Sequence, residues 1–74
     1  MNIEIRCFAT LGKFAPASGR LDLPEGTDVA GAMALLGVPP DEVKIIFVNG
    51  KSAPPETVLS EDDRLGLFPA VGGG

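Results

Sequence analysis

Over residues 2–8 the chain alternates. Ile3, Ile5 and Cys7 fall on one side; Asn2, Glu4, Arg6 and Phe8 fall on the other. A period of two belongs to a half-buried strand. Residues 10–18 contain Gly12 and Pro16 and read as a loop. Residues 19–23 resume the alternation with Leu21 and Leu23 inward, and Pro24-Glu25-Gly26 ends it. Thr27 then reads as a helix N-cap, with Asp28 at the positive end of the helix dipole. Val29, Ala32, Met33 and Leu36 recur at the spacing of one helical face. Gly31 within that run costs roughly 1 kcal/mol relative to alanine, which tertiary packing must offset. Gly37 fits the left-handed position beyond the helix, and Pro39-Pro40 blocks its continuation.

The second half carries strand signals. Residues 44–48 are β-branched and aromatic. Asn49-Gly50 is a strong hairpin turn signal, followed by a short return strand at Lys51-Ser52. Residues 55–59 are expected to form a single helical turn, and Ser60-Glu61-Asp62-Asp63 a solvated turn. Residues 64–68 form the last strand, before Pro69-Ala70-Val71 and Gly72-Gly73-Gly74. This order predicts an α+β domain, a mixed four- to five-stranded sheet with one main helix packed on one face. The expected division is a folded domain over residues 1–71 and a flexible tail over residues 72–74.

Composition narrows the chemistry. With 74 residues the chain makes one domain, and a domain of that size buries only about 60% of its unfolded surface. There is one cysteine, Cys7, and no histidine. An internal disulfide, a Cys/His zinc site and a histidine-based catalytic pair are therefore excluded. The core alone must hold the fold, and 45% hydrophobic residues make that feasible. The absence of tryptophan and tyrosine and a net charge of −4 argue against nucleic acid. No apolar run approaches the roughly 20 residues of a membrane span. Met1-Asn2-Ile3-Glu4 lacks the basic start and apolar stretch of a signal peptide. The expected compartment is the cytoplasm.

Three consecutive glycines have maximal backbone freedom and nothing to pack. One reading is a frayed end. The other is that the α-carboxylate of Gly74 is itself the reactive group, on a tail thin enough to enter a narrow enzyme channel. The run from Leu59 through Glu61-Asp62-Asp63, Leu65-Gly66-Leu67-Phe68-Pro69 and the closing glycines resembles the C-terminus of the ubiquitin-like sulfur carriers. These include the small subunit of molybdopterin synthase and the thiamine-biosynthesis sulfur carrier. Phe8-Ala9 at the end of the first strand and Val48-Asn49-Gly50 are similar to the same family, and the element order agrees along the whole chain.

The resemblance implies a β-grasp fold and a carrier rather than an enzyme. A ubiquitin-activating-type adenylyltransferase would use ATP and Mg²⁺ to adenylate Gly74, with Gly72 and Gly73 threaded into it. A persulfide sulfur from a sulfurtransferase or cysteine desulfurase would then yield a C-terminal thiocarboxylate. This chain would itself bind no cofactor. The acceptor would be the large subunit of molybdopterin synthase or thiazole synthase. Phe68-Pro69 tilts the reading toward molybdopterin. Ala70, where a second proline is common, and Ser52, where relatives carry an apolar residue, keep the thiamine pathway open. A protein modifier, joined to lysine through the same glycine, uses the same tail chemistry. A plain interaction module with an inert tail is a further alternative.

In a β-grasp sheet the first and last strands are neighbours, and the third lies beside the last. Parity then sets Phe8, Phe47 and Phe68 on the face opposite the helix, the face through which family members dock their enzymes. The alternative is a reversed register that makes these rings core; the unbroken apolar run of residues 45–48 gives Phe47 no period of its own. Cys7 reads as a small inward residue rather than a sulfur relay. The acidic run Glu61-Asp62-Asp63 reads as solvated, with a contribution to docking as the alternative; two carboxylates without further ligands do not make a metal site.

Overall fold

The structure is a computed structural model that describes residues 1–70. The expected domain boundary at residue 71 and the glycine tail, Gly72 to Gly74, lie outside the described residues. The elements are β1 (Asn2–Cys7), a 3₁₀ helix (Ala9–Phe14), β2 (Arg20–Asp22), α1 (Val29–Leu36), a 3₁₀ turn (Pro40–Glu42), β3 (Val43–Val48), β4 (Lys51–Ser52) and β5 (Arg64–Pro69). They form one five-stranded sheet in the order β2-β1-β5-β3-β4. β5 lies at its centre, parallel to β1 and antiparallel to β3. This is the expected β-grasp arrangement, with the helix on one face.

The inward sets are those that the alternation predicts. Ile3 and Ile5 of β1, Leu65 and Leu67 of β5, and Val29, Ala32 and Met33 of α1 are buried together, with Leu21, Leu36, Ile46 and Val48 packed against them. Leu23, just past β2, is buried on the inward side as expected, and three further core residues, Leu11, Val38 and Leu59, come from segments outside the sheet and α1. Leu11 sits in the 3₁₀ helix where a plain loop was expected. That helix forms because the chain turns sharply at Ala9 (φ 51°) and the Leu11 amide donates to the Phe8 carbonyl, which drops Leu11 into the core.

The helix start differs from expectation. Asp28, not Thr27, is the N-cap: its carboxylate accepts from the Gly31 amide at 2.8 Å. The Thr27 hydroxyl instead donates to the Pro24 carbonyl. A Cβ on Gly31 would lie 2.9 Å from Thr27 Cγ2 and 3.2 Å from Asp28 Oδ1, so glycine makes room for the folded-back cap. Residues 55–59 do not form a helical turn. A β-turn closes from the Thr57 amide to the Pro54 carbonyl, and the carbonyls of Thr57 and Pro55 accept from the Val29 and Ala30 amides. This segment therefore satisfies helix donors that would otherwise lack partners.

The helix stop follows the sequence. Gly37 is left-handed (φ 80°), the Val38 amide donates to the Met33 carbonyl and the Gly37 amide to the Ala34 carbonyl. That pairing is the Schellman motif, and it brings Val38 onto Met33 in the core. Asp28→Ala removes one helix-start acceptor and is expected to cost about 0.5–2 kcal/mol, read from the midpoint of urea denaturation; an unchanged midpoint would show that the 55–59 segment alone holds the helix start.

Candidate docking face

β5 presents two chemistries on its two sides. Leu65 and Leu67 are fully buried beneath the helix. Gly66 and Phe68 point the other way. Register carries this parity to the neighbours: Arg6 lies opposite Gly66 on β1, while Phe47 and Ile45 lie opposite Gly66 and Phe68 on β3. A bulge between Val43 and Ile45 sets the phase of β3, so that Ile45 and Phe47 face outward and Ile46 and Val48 inward. The four-residue apolar run could not reveal this phase, because both faces of β3 are apolar.

The predicted aromatic residues do meet. Phe8, just past β1 in extended conformation, stacks on Phe68 with centroids 4.2 Å apart and planes at 7°. Phe47 meets Phe68 edge-on at 5.5 Å and 83°. The stack makes Phe68 half-buried rather than fully exposed, whereas Phe8 remains 39% exposed and Ile45 42%. Sequence reading missed Ile45 as a member of this face. The rings wall a surface depression of about 430 Å³, with Gly66 at its floor and Glu4, Arg6 and Arg64 on its rim.

Charge on that rim is organised. Arg6 Nε donates to Glu4 Oε2 at 2.6 Å, and this hydrogen bond holds the Glu4 carboxyl below its usual value. Glu4 is thus ionised at neutral pH and neutralises Arg6. Cys7, on the opposite parity, packs half-buried against the core, and burial raises its thiol pKa. A protonated thiol is a poor nucleophile, in line with its reading as packing rather than relay.

The acidic turn is structural. Asp63 accepts from Asn49 Nδ2 at 2.9 Å and from the Ser60 amide at 2.8 Å, while Asn49 Oδ1 accepts from the Arg64 amide. Asp62 pairs with Arg20, and Glu61 accepts from the Asn2 amide. These bonds tie the start of β5 to the hairpin at Asn49-Gly50, where both residues are left-handed (φ 54° and 81°).

The model of the ThiS family matches residues 5–74, nearly the whole chain and including the aromatic face. The chain belongs to the ThiS family. That makes it one of the ubiquitin-like small proteins that include sulfur carriers. Solved structures share its shape. SAMP1 from Haloferax volcanii is 28% identical over all of both chains, with a TM-score of 0.75. A second structure, of the H. volcanii small archaeal modifier protein 1, is 24% identical with a TM-score of 0.73, covering 95% of this chain and 98% of that one. Molybdopterin converting factor, subunit 1, from Pyrococcus furiosus is 22% identical with a TM-score of 0.75, covering 96% and 99%. No curated protein sequence matches the chain. No helix among the described residues is long and apolar enough to cross a membrane.

The two sides of β5 should separate stability from surface function. Leu67→Ala is expected to lose about 2–5 kcal/mol. Phe68→Ala loses a ring stack worth about 0.5–1.5 kcal/mol together with the burial of a half-buried ring, and should cost less than Leu67→Ala. Chemical denaturation of both variants decides; a larger loss for Phe68→Ala than for Leu67→Ala would mean that the outer face is the structural one.

Proposed function

We propose that this chain is a sulfur carrier. Its Gly74 carboxylate attacks the α-phosphorus of ATP on a ubiquitin-activating-type adenylyltransferase, releasing pyrophosphate. The carboxylate is then an acyl-adenylate with a good leaving group. A persulfide sulfur displaces AMP, and a second thiol cleaves the resulting acyl disulfide to leave a thiocarboxylate. The chain supplies no acid or base; ATP and Mg²⁺ belong to the partner. Membership in the ThiS family over residues 5–74, with Gly72-Gly73-Gly74 inside the matched region, is the observation that carries this reading.

Phe8, Phe47 and Phe68 serve as the docking surface, on which an exposed aromatic cluster supplies the anchors typical of partner recognition. For the destination of the sulfur we favour molybdopterin. Phe68-Pro69 at the end of β5 supports that choice over thiazole synthesis. A second reading, conjugation of Gly74 to lysine amines, draws support from the 28% identity to SAMP1 and the modifier name borne by the 24%-identical structure.

Intact-mass analysis separates these readings. After incubation with the adenylyltransferase, ATP and a sulfur donor, the carrier reading expects a gain equal to exchange of one oxygen for one sulfur, absent from the Gly74→Ala variant, whose melting temperature should match the parent. Covalent adducts on other proteins without the sulfur gain would replace this reading with the modifier one. A lowered melting temperature in Gly74→Ala would make the tail structural.

A further inference from the structure

Every second residue of a central strand presents a side chain on each face, but β5 presents none at Gly66. Nothing in the fold demands glycine there. Its backbone is not left-handed, unlike that of Gly19, Gly26, Gly37 and Gly50. A Cβ on Gly66 would meet Phe8 Cε2 at 3.7 Å, Phe47 Cβ at 3.8 Å and Phe68 Cε1 at 3.8 Å, which is ordinary contact. A β-branched residue would also suit a strand better than glycine does. The missing side chain leaves an aromatic-walled hole, and interior strand glycines often mark the close approach of a ligand or another chain.

The rim says what kind of group comes with the occupant. The chain carries a net charge of −4, yet among the described residues the depression has Arg6 and Arg64 against a single carboxylate, Glu4. Glu4 is bonded to Arg6. Arg64 pairs with no acidic side chain among the described residues. Glu4 also lies opposite Arg64 in register and feels its charge, so one carboxylate is shared by two guanidiniums and the rim keeps one net positive charge beside an apolar hole; guanidinium favours carboxylate partners.

We propose that the hole over Gly66 receives one apolar side chain of the adenylating enzyme, and that a carboxylate of that enzyme beside it pairs with Arg64. The inference rests on the reading of the aromatic face as the docking surface. It adds the position of the anchor and the sign of the charge next to it. Rings around a central hole exclude water from the inserted side chain, the arrangement that concentrates binding energy in a few residues.

The test uses the full chain and the ubiquitin-activating-type adenylyltransferase of the same organism, with ATP–pyrophosphate exchange as the readout. Gly66→Val fills the hole. It should raise KM for the carrier by about tenfold or more, with kcat within about twofold and a melting temperature no lower than the parent's. Gly66→Ala, the smaller filling, should raise KM less and decides the matter if Gly66→Val does not fold. Arg64→Gln should raise KM and flatten its dependence on salt; Arg64→Lys should restore part of both. A folded Gly66→Val with unchanged KM overturns the anchor. A salt dependence unchanged in Arg64→Gln overturns the carboxylate. If Phe68→Ala also leaves KM unchanged, the docking face itself is wrong; if the parent chain is not adenylated, the carrier reading fails with it.

Discussion

The parity of β5 is the constraint on which the molecule depends. This strand lies between β1 and β3, so its register fixes theirs. Leu65 and Leu67 point into the core and are fully buried. Gly66 and Phe68 must then point out. A slip of one residue would exchange the two sets, bury the aromatic cluster and expose the leucines. The bonds from Asp63 and Asn49 at the start of β5 hold it against such a slip.

One consequence is a division of labour within a small domain. The helix side supplies stability, with α1 capped by Asp28 and braced by the 54–59 segment. The opposite side carries the aromatic face proposed for docking. In the sequence the glycine run follows closely on β5, which ends at Pro69, and the proposed docking face lies on that same strand. Core and proposed docking face are thereby coupled through one strand.

Much of this was legible in the sequence, for identifiable reasons. The alternation of residues 2–8 gave β1 and the outward position of Phe8, because one side is apolar and the other polar. Gly37 and Asn49-Gly50 marked turns that need left-handed backbone. What stayed hidden was set by tertiary contact. Leu11, Val38 and Leu59 are core residues without periodic neighbours. Asp28 outcompetes Thr27 as the cap because Thr27 turns to the Pro24 carbonyl. The 55–59 segment is shaped by the helix amides it satisfies, which no local pattern records. Ile45 joined the outer face through a bulge. The glycine tail could be assigned a chemistry only by its resemblance to a family, since its residues have no side chains from which to argue.

The helix side has apolar groups of its own in the open: Leu35 is 62% exposed and Val58 60%. Two faces therefore compete for the role of partner surface, and the central claim is that the aromatic one takes it. Amide chemical-shift mapping of the labelled chain against the unlabelled adenylyltransferase tests this most directly. The account predicts that shifts and broadening centre on Arg6, Phe8, Ile45, Phe47, Gly66 and Phe68, with α1 little changed. Perturbation centred instead on α1 and residues 54–59 would contradict it.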